Sequence, residues 1–193
     1  MESIAAQGKL TEELKQALLQ AETKQRIEDL YLPYKPKRRT RAQIAKEAGL
    51  EPLANSLFEN PTLTPETEAA RFLNEEKGIK SIKDALNGAR DILAERFSED
   101  AELLAQLRSF LTKHGFVVSE LIEGKETEGA KFKDYFDFDE ELTAIPSHRA
   151  LALFRGRQEG VLSVKIALSE EEEAQKPHPC QSLIAEYFGI KDL

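Results

Sequence analysis

A chain of 193 residues with 32% charged side chains and a net charge of −8 has room for one large domain or two small lobes, with much of its surface solvated. A single cysteine, Cys180, excludes an intrachain disulfide and a thiolate metal cluster. No apolar run approaches the ~20 residues of a membrane-spanning helix. The N-terminus also lacks a basic-then-apolar export signal, so a cytoplasmic protein is expected, best built as an extended array of helices.

In chain order, the first helical stretch covers about residues 11–30 and opens with Glu12 and Glu13, where the helix dipole favours carboxylates. Its stripe of Leu14, Leu18 and Ala21 is out of phase with Ile27, Leu30 and Tyr31, which predicts a break near Thr23. Leu32-Pro33-Tyr34-Lys35-Pro36-Lys37-Arg38-Arg39 follows as a stiff basic connector, because each proline fixes its own φ and pushes the residue before it towards extended geometry. Thr40 and Gln43 have capping-box spacing and open a short helix that Gly49 ends with a left-handed cap. Pro52 suits the first turn of the next helix, which carries Leu53, Leu57 and Phe58. A further start at Thr64-Pro65-Glu66 runs to about Gly78.

Ser81 caps the most periodic stretch, with Ile82, Leu86, Ala89, Leu93 and Phe97 on one stripe. Ser98-Glu99-Asp100 reads as a second start leading through Leu103, Leu107, Phe110 and Leu111 to His114-Gly115; two helices and one bent helix both fit. Beyond Gly115 the texture changes. Phe116-Val117-Val118-Ser119-Glu120-Leu121-Ile122 and Val161-Leu162-Ser163-Val164-Lys165-Ile166-Ala167-Leu168 are β-rich runs that pair as a sheet of two or three strands. Between them a helix opens at Pro146-Ser147 and closes near Gly156, and a final helix follows His178-Pro179-Cys180. The predicted fold is therefore mainly α. An extended multi-helix array over residues 1–114 contains a helix-turn-helix-like element at about 40–59, and residues 115–193 mix helix with a small sheet.

Catalytic signatures are missing: there is no Gly-rich phosphate loop, no paired-His metal spacing and no nucleophile elbow. His114, His148 and His178 are scattered, each beside a helix end. His178-Pro179-Cys180 reads as the turn into a helix rather than as a ligand pair. Asp137-Phe138-Asp139-Glu140-Glu141 and the run from Glu170 to Glu173 lack the glycine and spacing of a calcium loop and read as solvated acidic surface. The chain is expected to be no enzyme and to need no metal or cofactor.

The segment from Thr40 to Glu59 has the parts of a tight helix-turn-helix, with Ala45 four residues before Gly49 and Ile44 and Phe58 as outer apolar anchors. Asn55 stands where a branched apolar residue is expected in the second helix, which favours a structural role over DNA reading. Just ahead of it lie the candidate nucleic-acid contacts: Lys35, Lys37, Arg38, Arg39, Arg41 and Lys46, six cations with no acid between Tyr31 and Lys46. This short segment carries +6 and leaves −14 on the rest of the chain. Phosphates of a nucleic acid and an acidic protein surface are both suitable partners.

The string Asp29-Leu30-Tyr31-Leu32-Pro33-Tyr34-Lys35-Pro36-Lys37-Arg38-Arg39-Thr40 closely resembles the bacterial Tex family of transcription accessory proteins. The likeness continues through Ala69-Ala70-Arg71-Phe72, Glu128-Gly129-Ala130-Lys131-Phe132 and Asp134-Tyr135-Phe136. It is strong again at Pro146-Ser147-His148-Arg149-Ala150-Leu151-Ala152 and Phe154-Arg155-Gly156-Arg157. The resemblance implies a helical N-terminal region with a helix-turn-helix element, then a resolvase-like RNase H fold, helix-hairpin-helix modules and a C-terminal OB-fold that binds RNA. It places this chain in the later part of the N-terminal region, with the resolvase-like domain and the OB-fold outside it. The implied partners are RNA or DNA through the full-length protein, with weak or no binding by this segment alone. The family's remaining domains and the transcription machinery are further implied partners, and no membrane is.

Overall fold

The computed structural model describes residues 1–190. The chain divides into two compact units, one spanning Met1–Leu104 and the other beginning at Ala105.

The first unit opens with a single helical turn, α1 (Glu2–Ala5), which buries Ile4. Helices α2 (Glu12–Leu19) and α3 (Lys24–Tyr31) replace the one stretch read from the sequence. The break at Thr23 is a fresh helix start, because the Thr23 hydroxyl accepts from the Arg26 amide at 3.1 Å, as Thr11 does from Leu14 at 3.2 Å. The connector is less extended than expected: Leu32–Tyr34 continues α3 as a 3-10 turn, with Pro33 in the turn's opening residues, and the chain extends only from Lys35.

Helices α4 (Arg41–Glu47) and α5 (Glu51–Glu59) flank Gly49, whose φ of 89° is the left-handed geometry expected from its position. The helix opening at Thr64 is shorter than its pattern implied. It forms α6 (Pro65–Ala69) and a 3-10 turn to Phe72, after which Asn74 and Ile79 exchange backbone hydrogen bonds across a tight loop. Helix α7 (Ile82–Ser98) starts with a reciprocal capping box in which Ser81 accepts from the Asp84 amide and Asp84 from the Ser81 amide. The Asp100 carboxylate then accepts from the amides of Glu102 and Leu103 at 3.0 and 2.9 Å. That cap separates α7 from α8 (Ala101–His114), so the chain has two helices here.

The core of this unit joins α4, α5, α6 and α7 through Ala42, Ala45, Leu50, Leu53, Ala54, Ala69, Ile79, Ala85, Ala89 and Ile92. Helix α7 is rotated from its expected stripe: it buries Ala85, Gly88, Ala89 and Ile92, while Ile82 is exposed and Leu86 and Leu93 only flank the core. The cause is close approach. A Cβ added at Gly88 would lie 3.2 Å from the Ala45 Cβ and would overlap Leu50 Cδ1. The small-residue face therefore turns inward, and the leucines line its margin.

The second unit contains a three-stranded antiparallel sheet in the order β2-β1-β3. Strands β1 (Phe116–Leu121) and β3 (Leu162–Ala167) are the two β-rich runs, with Ser119 opposite Val164. The third strand, β2 (Asp137–Glu141), falls on an acidic segment read as solvated surface. It is an edge strand in which Phe138 and Glu140 are half-buried while Asp137, Asp139 and Glu141 face solvent. One apolar residue in five was too little alternation to announce a strand.

Helix α9 (Ser147–Gln158) covers the sheet with Leu153 and runs through Gly156, where the absence of a Cβ admits Leu162. The helix ends at Gln158, two residues past the expected close near Gly156, and Gly160 follows in left-handed geometry. The acidic run from Glu170 folds as α10 (Glu170–Ala174), capped by Ser169, and α11 (Pro179–Phe188) follows. His178 caps α11 by accepting from the Cys180 amide at 3.2 Å, and its Nε2 lies 3.3 Å from Glu173.

Two substitutions test this packing. Gly49→Val forces a branched residue into left-handed geometry and should lower stability by ~1–2 kcal/mol, while Gly49→Asn should be tolerated better. Gly88→Val should cost about 1–3 kcal/mol by overpacking the α4–α7 contact. Denaturant unfolding midpoints measure both, and unchanged midpoints would show the contacts to be wrongly assigned.

Candidate nucleic-acid interface

The connector forms one wall of a cleft of about 620 Å³ in the first unit, with α1, α4 and α7 supplying the others. Local bonds hold the wall in place. The Gln7 side chain donates to the carbonyls of Ser3 and Tyr34, both at 2.9 Å, and the Tyr31 hydroxyl lies 3.3 Å from that of Ser3. At the far end Thr40 accepts from the Gln43 amide, starting α4, and donates to the Glu95 carboxylate of α7 at 2.8 Å. Gln43 completes only half of the expected capping box, because its side chain turns to Glu47.

The six candidate cations separate into two groups. Lys37 is paired with Glu99, Lys46 Nζ lies 3.3 Å from Glu95, and Arg39 Nε donates to Glu47 at 3.0 Å. The side chains of Lys35, Arg38 and Arg41 are exposed and have no ionic or hydrogen-bonded partner among the described residues, and Arg41 is not among the cleft's lining residues. Lys9, which the sequence reading did not single out, is also exposed in the cleft and free of such a partner among the described residues. It stands far upstream of the basic string, and only the Gln7–Tyr34 fold-back brings it near; no local pattern announces that.

Glu95 and Glu99 are the least exposed members of these ion pairs, with 17% of each side chain accessible. Burial pushes the Glu95 carboxyl up, but the hydrogen bonds from Thr40 and Lys46 and the nearby charges of Lys46 and Lys37 outweigh it and leave its pKa below the usual carboxylate range. The Glu47 carboxyl is also lowered, first by its bond from Arg39 and then by Gln43. The cleft therefore has exposed cations and two less exposed carboxylates, Glu95 and Glu99, each paired with a lysine.

Beyond the cleft, the α4–Gly49–α5 pair offers little to a phosphate backbone. Helix α5 has Glu51 and Glu59 at its ends and no cation. Asn55 accepts from Arg96 at 2.6 Å, and that guanidinium sits 5.9 Å from the centre of the Phe58 ring. Among the described residues no group of three or more His, Cys, Asp or Glu is placed to hold a metal ion. No described helix is long and apolar enough to cross a membrane.

Fold and cleft together define a mainly helical segment with a cleft in which exposed cations surround two paired, less exposed carboxylates. Comparison with known proteins supplies the lineage. The Tex central region-like family matches residues 60–193. The chain is 58% identical over 190 residues to protein tex of Bordetella pertussis and 47% identical over 193 residues to the transcriptional accessory protein Tex of Neisseria gonorrhoeae. It is 31% identical over 178 residues to the human S1 RNA-binding domain-containing protein 1. These matches cover 98%, 100% and 88% of this chain and 24%, 25% and 18% of the respective relatives. The chain belongs to the Tex family, and it spans about a quarter of the length of its bacterial relatives.

The lowered Glu95 carboxyl has a consequence for stability. A group whose folded pKa is depressed contributes stability above its unfolded pKa, about 4.3 for Glu, and loses it as pH falls through the folded value. Glu95→Gln should therefore lower the melting temperature at neutral pH, and the gap to the parent should close as the pH drops below about 4. Melting curves across that range measure it; no gap at neutral pH would show the pairing with Thr40 and Lys46 to be unimportant, and a gap that persists at low pH would trace it to something other than the charge.

Proposed function

We propose that this chain is a non-catalytic scaffold and interaction segment of a Tex-like transcription accessory, nucleic-acid-binding protein, and that its cleft makes an auxiliary contact with phosphates. One observation carries the reading: Lys35 and Arg38 stand uncommitted in the cleft while their neighbours Lys37 and Arg39 are tied to acids. Cations without a carboxylate partner retain their full attraction for phosphate oxygens and release condensed counterions on binding. The names of two relatives, a transcriptional accessory protein and an S1 RNA-binding domain protein, support the same direction. On this reading the helix-turn-helix-like pair serves as packing scaffold for α7, since its second helix is acidic.

A second reading, a protein-docking module for the transcription machinery without nucleic-acid contact, is supported by α9. There Leu151 and Phe154 are 67% and 59% exposed, beside Arg155 and Arg157. Exposed aromatic and arginine side chains together are typical of protein interfaces.

The deciding experiment is a titration of a labelled oligonucleotide at several salt concentrations. With about three phosphates neutralised, the log–log slope should be roughly −2 to −3, and affinity should be micromolar or weaker. Replacing Lys35, Arg38 and Arg41 by Gln should flatten the slope and leave the circular dichroism spectrum unchanged. A triple variant that binds as the parent does would remove the connector from consideration. No binding by the parent at low salt would leave the docking reading in its place. The same preparation, incubated with labelled nucleic acid or nucleoside triphosphate and Mg²⁺, should show no turnover; activity that co-purifies with the folded chain would overturn the non-catalytic assignment.

A further inference from the structure

The lining of the cleft says more than that phosphates approach it. Tyr34 is half-buried among the lining residues, adjacent in sequence to Lys35 and near Lys9, and its backbone carbonyl is fixed by Gln7. Its hydroxyl has no hydrogen-bond partner among the described residues. An aromatic ring set among cations is the arrangement that holds single strands, because every base offers a π-face and every linkage a phosphate.

The two carboxylates point the same way. Glu95 and Glu99 lie in the cleft, Glu95 held by Thr40 and Lys46 and Glu99 paired with Lys37. They repel any phosphate that goes deep, yet they accept hydrogen bonds from the amino groups of bases. A duplex keeps its bases inside and presents phosphates outward, so it can touch only the exposed cations and offers the carboxylates nothing but further phosphate. A single strand can place its phosphates on the outer cations and turn its bases inward. The cleft is a concavity, whereas duplex sequence is usually read by a helix or ribbon that enters a groove.

We infer that the cleft takes single-stranded nucleic acid, with phosphates on Lys9, Lys35 and Arg38 and a base stacked on Tyr34. This rests on the phosphate contact proposed above. Lys37, Arg39 and Lys46 are then positioning residues, clamped by Glu99, Glu47 and Glu95 so that the wall keeps its shape.

The test is fluorescence anisotropy with mixed-sequence oligonucleotides of roughly 12 nucleotides, as single-stranded RNA, single-stranded DNA and duplex DNA, at low salt. Either single strand, or both, should bind at least several-fold more tightly than the duplex; a preference for RNA would add the 2′-hydroxyl to the contact. Tyr34→Ala should weaken single-strand binding by roughly 5- to 100-fold and leave residual duplex binding unchanged, whereas Tyr34→Phe should retain it. Lys9→Gln should flatten the salt slope without changing the melting temperature. Lys37→Gln, by contrast, should change the melting temperature as well, because it breaks the pair with Glu99. Equal affinity for duplex and single strand, or a Tyr34→Ala variant that binds as the parent does while remaining folded, would overturn the single-strand inference and leave the phosphate contact standing. Absence of binding by all three probes would overturn the phosphate contact itself.

Discussion

The first unit depends on one close approach. At Gly88 helix α7 meets α4 with no Cβ between them, and Ala45 and Leu50 fill the space that a side chain would occupy. Helices that touch through small residues are held at a short distance and in a fixed rotation. Glu95 lies seven residues beyond Gly88, about two turns on and so on the same side of the helix. Setting the contact at Gly88 therefore sets where Glu95 meets Thr40 and Lys46. Glu99, one turn further, reaches Lys37. The packing of an apolar interface thus determines which cations of the connector are tied down.

Ion pairs of this kind add little to stability. Partly exposed pairs contribute about 0–1 kcal/mol and are screened by salt. What they supply is geometry. A stretch with five cations from Lys35 to Arg41, stiffened by Pro33 and Pro36, would repel itself if left in solvent. Pairing Lys37 inward and Arg39 to α4 fixes alternate side chains and leaves Lys35 and Arg38 outward. The same sorting divides the segment's charge into a part that is internally neutralised and a part that acts on the surroundings.

Local rules carried the sequence reading a long way, and it failed where tertiary partners decide. Thr40, Gly49 and Ser81 were legible because a cap or a left-handed turn depends on residues within a few positions. The strands β1 and β3 were legible because each is a run of β-branched and apolar residues. Strand β2 was hidden by its acids, which suit an unpaired edge and resist association with other edges. The rotation of α7 was hidden as well, since glycine and alanine carry almost no periodic signal although they form the tightest contact. The candidate site was visible only as a string of charge. Which cations are free depends on Glu95 and Glu99, far along the chain, and Lys9 joins the cleft only through the fold-back at Gln7.

A cleft with about three uncommitted cations in a chain of net charge −8 is poorly suited to independent binding. Non-specific phosphate contacts of this size give dissociation constants of ~10⁻⁴–10⁻⁶ M, and the acidic remainder works against them. Their value changes when they are tethered. The bacterial relatives are about four times as long as this chain, and the human relative, about five times as long, carries an S1 RNA-binding domain in its name. A second site held on the same polypeptide experiences an effective concentration of order millimolar. On the reading proposed above, a cleft with a dissociation constant of ~10⁻⁴ M would then be occupied about nine-tenths of the time once a stronger module had engaged the strand, multiplying overall affinity roughly tenfold. The clamped connector matters in that setting because a floppy one would lose part of the gain to ordering its side chains.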